Sequence, residues 1–286
     1  MNRLLADLLK VMTLERLELD LFRGESRDIG SPQVFGGQVL GQALVAATGT
    51  VEERVVHSLH AYFLRRGDFG APIVYEVDRA RDGNHFSTRR VVAIQHGEQI
   101  FNMSASFQTP EAGLDHQSAM PDVAPPDGLA PVESYYADLL PTLPPAARRL
   151  LELKRPFEFR PVEVPNPLNP GKLPPRRHIW FRAIDRLPDG EALHRSLLAY
   201  VSDYNLLETA TMPHGVSFAS GKLVMASIDH AMWFHRPVRV DDWLLYATDS
   251  PSASGARGFA RGRIFATDGR LVASTCQEGL IRPAVR

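Results

Sequence analysis

Cysteine is nearly absent from this chain of 286 residues: there is one, Cys276. No disulfide can form within the chain, and a zinc site built on several thiolates is impossible. A reducing compartment suits that composition. Net charge is almost absent too, since 32 Lys and Arg stand against 33 Asp and Glu. No Lys/Arg run resembles a nucleic-acid arm, so nucleic acid is not an expected partner. A neutral total still leaves room for a local basic patch facing a phosphorylated ligand. No apolar run reaches the roughly 18 residues of a membrane span. The opening stretch, MNRLLADLLKVMTLERLELDLF, is interrupted by Asp7, Glu15, Glu18 and Asp20, which does not fit a secretory signal. Its Leu4, Leu5, Leu8, Leu9 and Met12 recur at helical spacing and predict an amphipathic helix. H-E-x-x-H, clustered carboxylates and phosphate-binding glycine motifs are also missing. His57 and His60, and His230 and His235, are spaced three and five apart on predicted strands. Each pair therefore points to opposite faces. They read as core or interface donors, and neither a metal nor a cofactor is expected.

What is present is an ordinary globular composition, 44% apolar and 23% charged, at a length that predicts about two domains. Proline is unevenly placed: 15 of 22 lie between Pro110 and Pro175. Prolines remove backbone donors and break helices and central strands, so this region predicts a long connection. Short helices are expected at Val132–Leu140 and Ala146–Leu153. The flanking halves look alike. In the first, the helix candidate Phe35–Ala47 precedes strand-like segments at Val55–Leu64, Ile73–Arg81, His85–His96 and Gln99–Gln108. In the second, the helix candidate Leu193–Thr209 precedes Leu223–Phe234, Trp243–Ser250, Gly258–Ala266 and Leu271–Ile281. Arg160–Val164 and His178–Ala183 supply strands ahead of that helix. Asp268-Gly269 and His96-Gly97 mark hairpin turns.

The repeat can be checked by residue. Tyr62-Phe63-Leu64-Arg65-Arg66 matches Trp233-Phe234-His235-Arg236-Pro237 at an offset of 171, which also pairs Arg90 with Arg261 and Ile100-Phe101 with Leu271-Val272. One long helix followed by about four antiparallel strands, twice, predicts α+β layering. This is a double hotdog, two helix-plus-antiparallel-sheet repeats forming a pseudo-dimer. The expected division is 1–110 for the first repeat, 111–154 for the Pro-rich linker and 155–286 for the second.

Candidate chemistry lies in the second half. Gly215-Val216-Ser217-Phe218-Ala219 approaches a nucleophile elbow but ends in Ala and lacks the strand-to-helix setting, so Ser217 reads as a loop serine. Cys276 reads as a small buried residue. Asp203, in Tyr200-Val201-Ser202-Asp203-Tyr204-Asn205-Leu206-Leu207, is an acid in a segment that otherwise wants burial. It is either functional or a cap near a helix start. Ser227, Asp229, Ala231 and Trp233 would share one strand face. Gln277, in Ser274-Thr275-Cys276-Gln277-Glu278-Gly279, is by local pattern more readily an exposed strand residue than a functional one.

At these residues the sequence resembles the acyl-CoA thioesterase II (TesB-like) family of tandem hotdog enzymes. The resemblance is carried by QVFGGQVLGQAL (Gln33–Leu44), HSLHAYFL (His57–Leu64), DGNHFSTRR (Asp82–Arg90), SDYNL (Ser202–Leu206), IDHAMWFHRP (Ile228–Pro237), ASGARGFAR (Ala253–Arg261) and ASTCQEG (Ala273–Gly279). It implies a catalytic trio of Asp203, Ser227 and Gln277, in which many members carry Thr where this chain has Ser227. The repeat offset places Val56 opposite Ser227 and Ser106 opposite Gln277; Asp203 is matched, outside that offset, with Gln38, so one working site per chain is expected. The implied reaction is hydrolysis of acyl-CoA to fatty acid and CoA by a water that Asp203 activates, beside a helix start that favours its charge. A backbone N–H of Gly36 or Gly37 is the candidate oxyanion donor. Arg65, Arg66, Arg236, Arg257 and Arg261 are candidates for CoA phosphates, and an apolar tunnel between the halves is the candidate acyl site. The alternatives are a hotdog enoyl-thioester hydratase or dehydratase, favouring a His/acid pair, and a non-catalytic acyl-CoA-binding protein. The resemblance also implies a homo-oligomer, dimer or tetramer. The C-terminal Ala284-Val285-Arg286 is not a peroxisomal signal, so a cytoplasmic location is expected.

Overall fold

The computed structural model describes residues 1–221 and 223–284; Lys222 and the terminal Val285 and Arg286 lie outside the described residues. Helix α1 (Arg3–Met12) is capped by Asn2, whose side chain accepts from the Leu4 N–H at 2.9 Å. It buries Leu5, Leu8 and Met12, the stripe that the spacing predicts. Strands β1 (Glu15–Glu18) and β2 (Leu21–Gly24) lead to α2 (Gly36–Thr48). Helix α2 is apolar on nearly every side, and so it is buried along nearly its whole length from Gly37 to Ala47. Strands β3 (Val55–Phe63), β4 (Ile73–Asp82), β5 (Phe86–Gln95) and β6 (Glu98–Gln108) follow it. His96 and Gly97 take left-handed conformations at the predicted β5–β6 turn.

The Pro-rich segment holds α3 (Val132–Tyr136), α4 (Pro145–Glu152) and 3-10 turns at Pro126–Gly128 and Leu140–Thr142. It is not a free tether. Trp180 Nε1 donates to the Ala124 carbonyl at 2.9 Å, and Gln117 bonds both the Gly269 carbonyl and the Leu271 N–H. Met120, Val123 and Leu129 pack on a small second core of Trp180, Leu245, Ala247 and Phe265.

The second repeat comprises β7 (Phe157–Pro161), β8 (Arg176–Ala183), α5 (Glu191–Ser202), β9 (Leu223–Ser227), β10 (Asp229–Phe234), β11 (Leu244–Ser254), β12 (Arg257–Ala266) and β13 (Leu271–Pro283). The sheet runs β1-β2-β4-β5-β6-β3-β10-β13-β12-β11-β8-β7. That order reads the same from either end once repeat partners are matched, with β9 added alongside β13. The repeats join where β3 pairs antiparallel with β10, His60 facing Ala231. Those two residues are themselves separated by the repeat offset, so the pseudo-two-fold axis passes through this pair. Inside, α2 and α5 pack against one another, and one continuous core spans both repeats. The fold is the expected α+β double hotdog.

Three expected elements differ. The helix over Leu193–Thr209 stops at Ser202, because Asn205 adopts a left-handed φ of 65°, and a 3-10 segment, Leu207–His214, follows. The strand over Leu223–Phe234 is broken at Ile228, where the Asp229 carboxylate accepts the Glu278 N–H at 2.6 Å. The strand expected at Arg160–Val164 lies at Phe157–Pro161. In both broken elements side-chain and turn chemistry outweighs hydrophobic pattern.

The two central helices approach closely at Gly37, where a Cβ would overlap the Tyr200 carbonyl oxygen and the Phe35 ring. Gly37→Ala is therefore expected to lower the unfolding free energy by about 1–3 kcal/mol, although Ala is the better helix former. A denaturant midpoint at or above that of the parent chain would contradict this packing.

Candidate active site

Asp203 is the C-cap of α5, at the end of its own helix rather than the start. The helix start beside it comes from the other repeat: a Cβ on Gly36 would stand 2.9 Å from Asp203 Oδ2. Gly36 and Gly37 open α2, so their N–H groups have no partner within the helix. The next two, Gln38 and Val39, turn back to the Phe35 carbonyl at 3.0 and 3.3 Å. The positive end of α2 thus faces the carboxylate.

Gln277 lies on β13 with its side chain inward and 0% exposed, which removes the exposed-strand reading. Its Nε2 donates to Asp203 Oδ1 at 2.7 Å. The reversed amide would set two acceptor oxygens face to face, so this orientation is the favoured one. Gln277 Oε1 is left buried with no hydrogen-bond partner among the described residues. Ser227 ends β9 opposite Gly279, and its Oγ is 3.5 Å from Asp203 Oδ1, at the limit of a hydrogen bond. The break at Ile228 separates Ser227 from the face shared by Asp229, Ala231 and Trp233, contrary to simple alternation. Asp203, Ser227 and Gln277 are thus brought together by three different elements.

One residue beside this cluster is missed by motif reasoning. His230 is 0% exposed; its Nδ1 is 3.2 Å from Gln277 Nε2 and its Nε2 is 2.9 Å from Ser202 Oγ. A histidine on the inward face of a strand is visible in the sequence, but its partners are not. His235 lies apart from it, bonded to Ser274 Oγ at 2.9 Å.

The first repeat holds no such cluster. By capping position Asp203 corresponds to Gly49, the C-cap of α2, and not to Gln38. Gln38 instead accepts from the Arg27 N–H at 2.8 Å. The second repeat has extra chain between helix and strands, so one offset cannot carry across it. Around Val56 and Ser106, Arg195 donates to the Val56 carbonyl and pairs with Glu191, and it lies 5.6 Å from the centre of the Phe234 ring. Ser106 Oγ bonds His57 Nε2 at 2.8 Å.

The other candidates are placed as follows. Ser217 donates to the Pro167 carbonyl. Cys276 is on the β13 face opposite Gln277, and burial raises its thiol pKa, which disfavours the thiolate. Arg65 pairs with Glu98, Arg236 with Asp115, Arg257 with Glu278 and Arg261 with Asp249. Arg66 is exposed, with no ion pair among the described residues. A largely apolar cavity lies between the linker helices and the segment after α5, lined by Val132, Leu151, Leu173, Asn205, Met212 and Phe218, among others. The expected tunnel between the halves is thus not where this cavity sits. No helix among the described residues is long and apolar enough to cross a membrane.

Two hotdog repeats in one chain, with a polar cluster where their helix ends meet, define a double-hotdog protein. Comparison with known proteins gives the particular family. Residues 146–280 match the family model for acyl-CoA thioesterase, and residues 23–108 match its N-terminal domain. The chain is 43% identical to acyl-CoA thioesterase 2 of Haemophilus influenzae over 99% of both chains. It is also 43% identical to human acyl-coenzyme A thioesterase 8, covering 95% of this chain and 88% of that one. Among solved structures, acyl-CoA thioesterase II TesB2 of Mycobacterium marinum superposes with a TM-score of 0.79 at 43% identity, covering 97% and 98% of the two chains. The chain belongs to the acyl-CoA thioesterase family and is a thioester hydrolase.

Burial lowers the pKa of His57, His194, His230 and His235 below 6.5. Below that pH the unfolded chain takes up protons that the folded chain resists, so this contribution is intact above 6.5 and declines as pH falls through the folded values. The denaturation midpoint is expected to be lower at pH 5.5 than at pH 7.5. An unchanged midpoint would show that these rings titrate alike in both states.

Proposed function

We propose that this thioesterase releases fatty acid and CoA by direct attack of a water held by Asp203, Ser227 and Gln277. The observation that carries the reading is the 2.7 Å bond from Gln277 Nε2 to Asp203 Oδ1 beside the open start of α2. Gln277 occupies one carboxylate oxygen and leaves Oδ2 for a water proton. The Ser227 hydroxyl and the free Gln277 Oε1 complete the water's bonds. Water oxygen attacks the thioester carbonyl carbon as its proton passes to Asp203. The carbon–sulfur bond then breaks, and the departing CoA sulfur takes up a proton. The Gly36 or Gly37 N–H receives the developing oxyanion, a contribution of the kind worth about 10²–10³ in rate.

The apolar cavity beginning two residues after Asp203, at Asn205, suits the acyl chain. Phe63 packs on Gly36, so Arg65 and Arg66 leave the sheet at this end and suit the CoA phosphates, with Arg66 already unpaired. Arg65, Arg236, Arg257 and Arg261 would first have to exchange a carboxylate. A hydratase or dehydratase needs a titrating His/acid pair, whereas both ring nitrogens of His230 are occupied. Activity on a panel of acyl-CoAs separates hydrolysis from mere acyl-CoA binding. The same reading keeps the division at 110 and 154, a cytoplasmic location and a dimeric or tetrameric assembly, for which exposed Tyr62 and Leu64 offer apolar surface.

Asp203→Asn is expected to lower thiol release by about 10²–10⁴-fold while calorimetry still detects acyl-CoA binding. Full turnover in that variant, or an acyl group trapped on Ser217 or Cys276, would overturn direct water attack. Ser227→Thr keeps the hydroxyl and is expected to retain activity, whereas Ser227→Ala loses it in the same thiol assay.

A further inference from the structure

Gln277 can serve the water only if its amide points one way, and its neighbours set that direction. The Ser202 hydroxyl donates to the Ala199 carbonyl at 3.0 Å. With its proton committed there, Ser202 Oγ accepts at 2.9 Å from His230 Nε2, which must therefore carry the ring proton. His230 Nδ1 is then the acceptor, and it receives a Gln277 Nε2 hydrogen at 3.2 Å while the other goes to Asp203 Oδ1 at 2.7 Å. The chain of donors runs from the Gln277 amide through His230 and Ser202 and ends at a backbone carbonyl of α5, which fixes the direction of each link. Neither ring nitrogen of His230 is available to substrate, and the ring is fully buried.

We propose that His230 is a positioning residue that locks the Gln277 amide with its nitrogen toward Asp203 and its oxygen toward the water. This rests on the proposed role of Gln277. Without the lock, the amide is held only by its bond to Asp203 Oδ1 and can pivot about it, swinging Oε1 away from the water and loosening the attacking position. Misplacement of that kind costs up to about 10²-fold in rate.

The test measures kcat and KM for decanoyl-CoA, with thermal midpoints, for the full chain and its variants. His230→Leu is expected to lower kcat about tenfold to a hundredfold at unchanged KM. His230→Asn, whose Oδ1 stands near the place of Nδ1, recovers most of the loss. In a Gln277→Leu background His230→Leu adds no further loss, because the residue it acts through is already gone. The proposal is overturned if His230→Leu turns over normally while Gln277→Leu is impaired. It is equally overturned if the two losses multiply, or if the Asn and Leu variants lose activity alike in proportion to lost stability. Should His230→Leu fail to fold, Ser202→Ala decides: a lower kcat at unchanged KM is expected, and parent kcat would overturn the lock. Full turnover by Gln277→Leu alone would instead defeat the water mechanism, a separate result.

Discussion

The site depends on how closely α2 and α5 can approach. Gly37 lets the two helix backbones meet where any side chain would strike the Tyr200 carbonyl. That contact sets the end of α5 against the beginning of α2, and Gly36 leaves room there for the Asp203 carboxylate. A carboxylate at its own helix C-terminus is poorly placed electrostatically; here the start of the partner helix supplies the positive end. The carboxylate comes from one repeat and the open N–H groups from the other, so this arrangement needs both repeats.

The asymmetry of the two repeats follows from the chain between helix and strands. In the first, α2 leads almost directly into β3. In the second, α5 is followed by a 3-10 segment and β9 before β10 begins. That extra chain places Ser227, at the end of β9, against β13 near Gln277, and walls one side of the apolar cavity. The first repeat, with a short connection, has Arg195 bonded to the Val56 carbonyl and His57 bonded to Ser106. Duplication preserved the sheet, while the Asp203, Ser227 and Gln277 cluster occurs at one of its two ends.

Much of the architecture was legible because its signals are local. Strand alternation, the repeat offset and the proline cluster point to two equivalent layers joined by a connection. Asp203 and Gln277 are different. Local pattern leaves each with a bland reading, and motif resemblance is what singles them out. The arginines show the limit of counting charges: Arg65, Arg236, Arg257 and Arg261 meet carboxylates distant in sequence, and no spacing rule reveals such partners. His230 stands between these cases, a polar residue on an inward strand face whose bonds join segments far apart in the chain.

The sequence by itself determined the family, the double-hotdog architecture, and the presence of acid, hydroxyl and amide in one half only, because these are written in periodicity and short motifs. Only the tertiary structure decided that Asp203 caps one helix while facing the start of another. It alone showed that the Gln277 amide is held by Asp203 and His230, and that an apolar cavity lies beside the linker. The physical reason is range: hydrophobic period acts over a few residues, whereas a hydrogen bond acts over about 3 Å of space and ignores how much chain separates its partners.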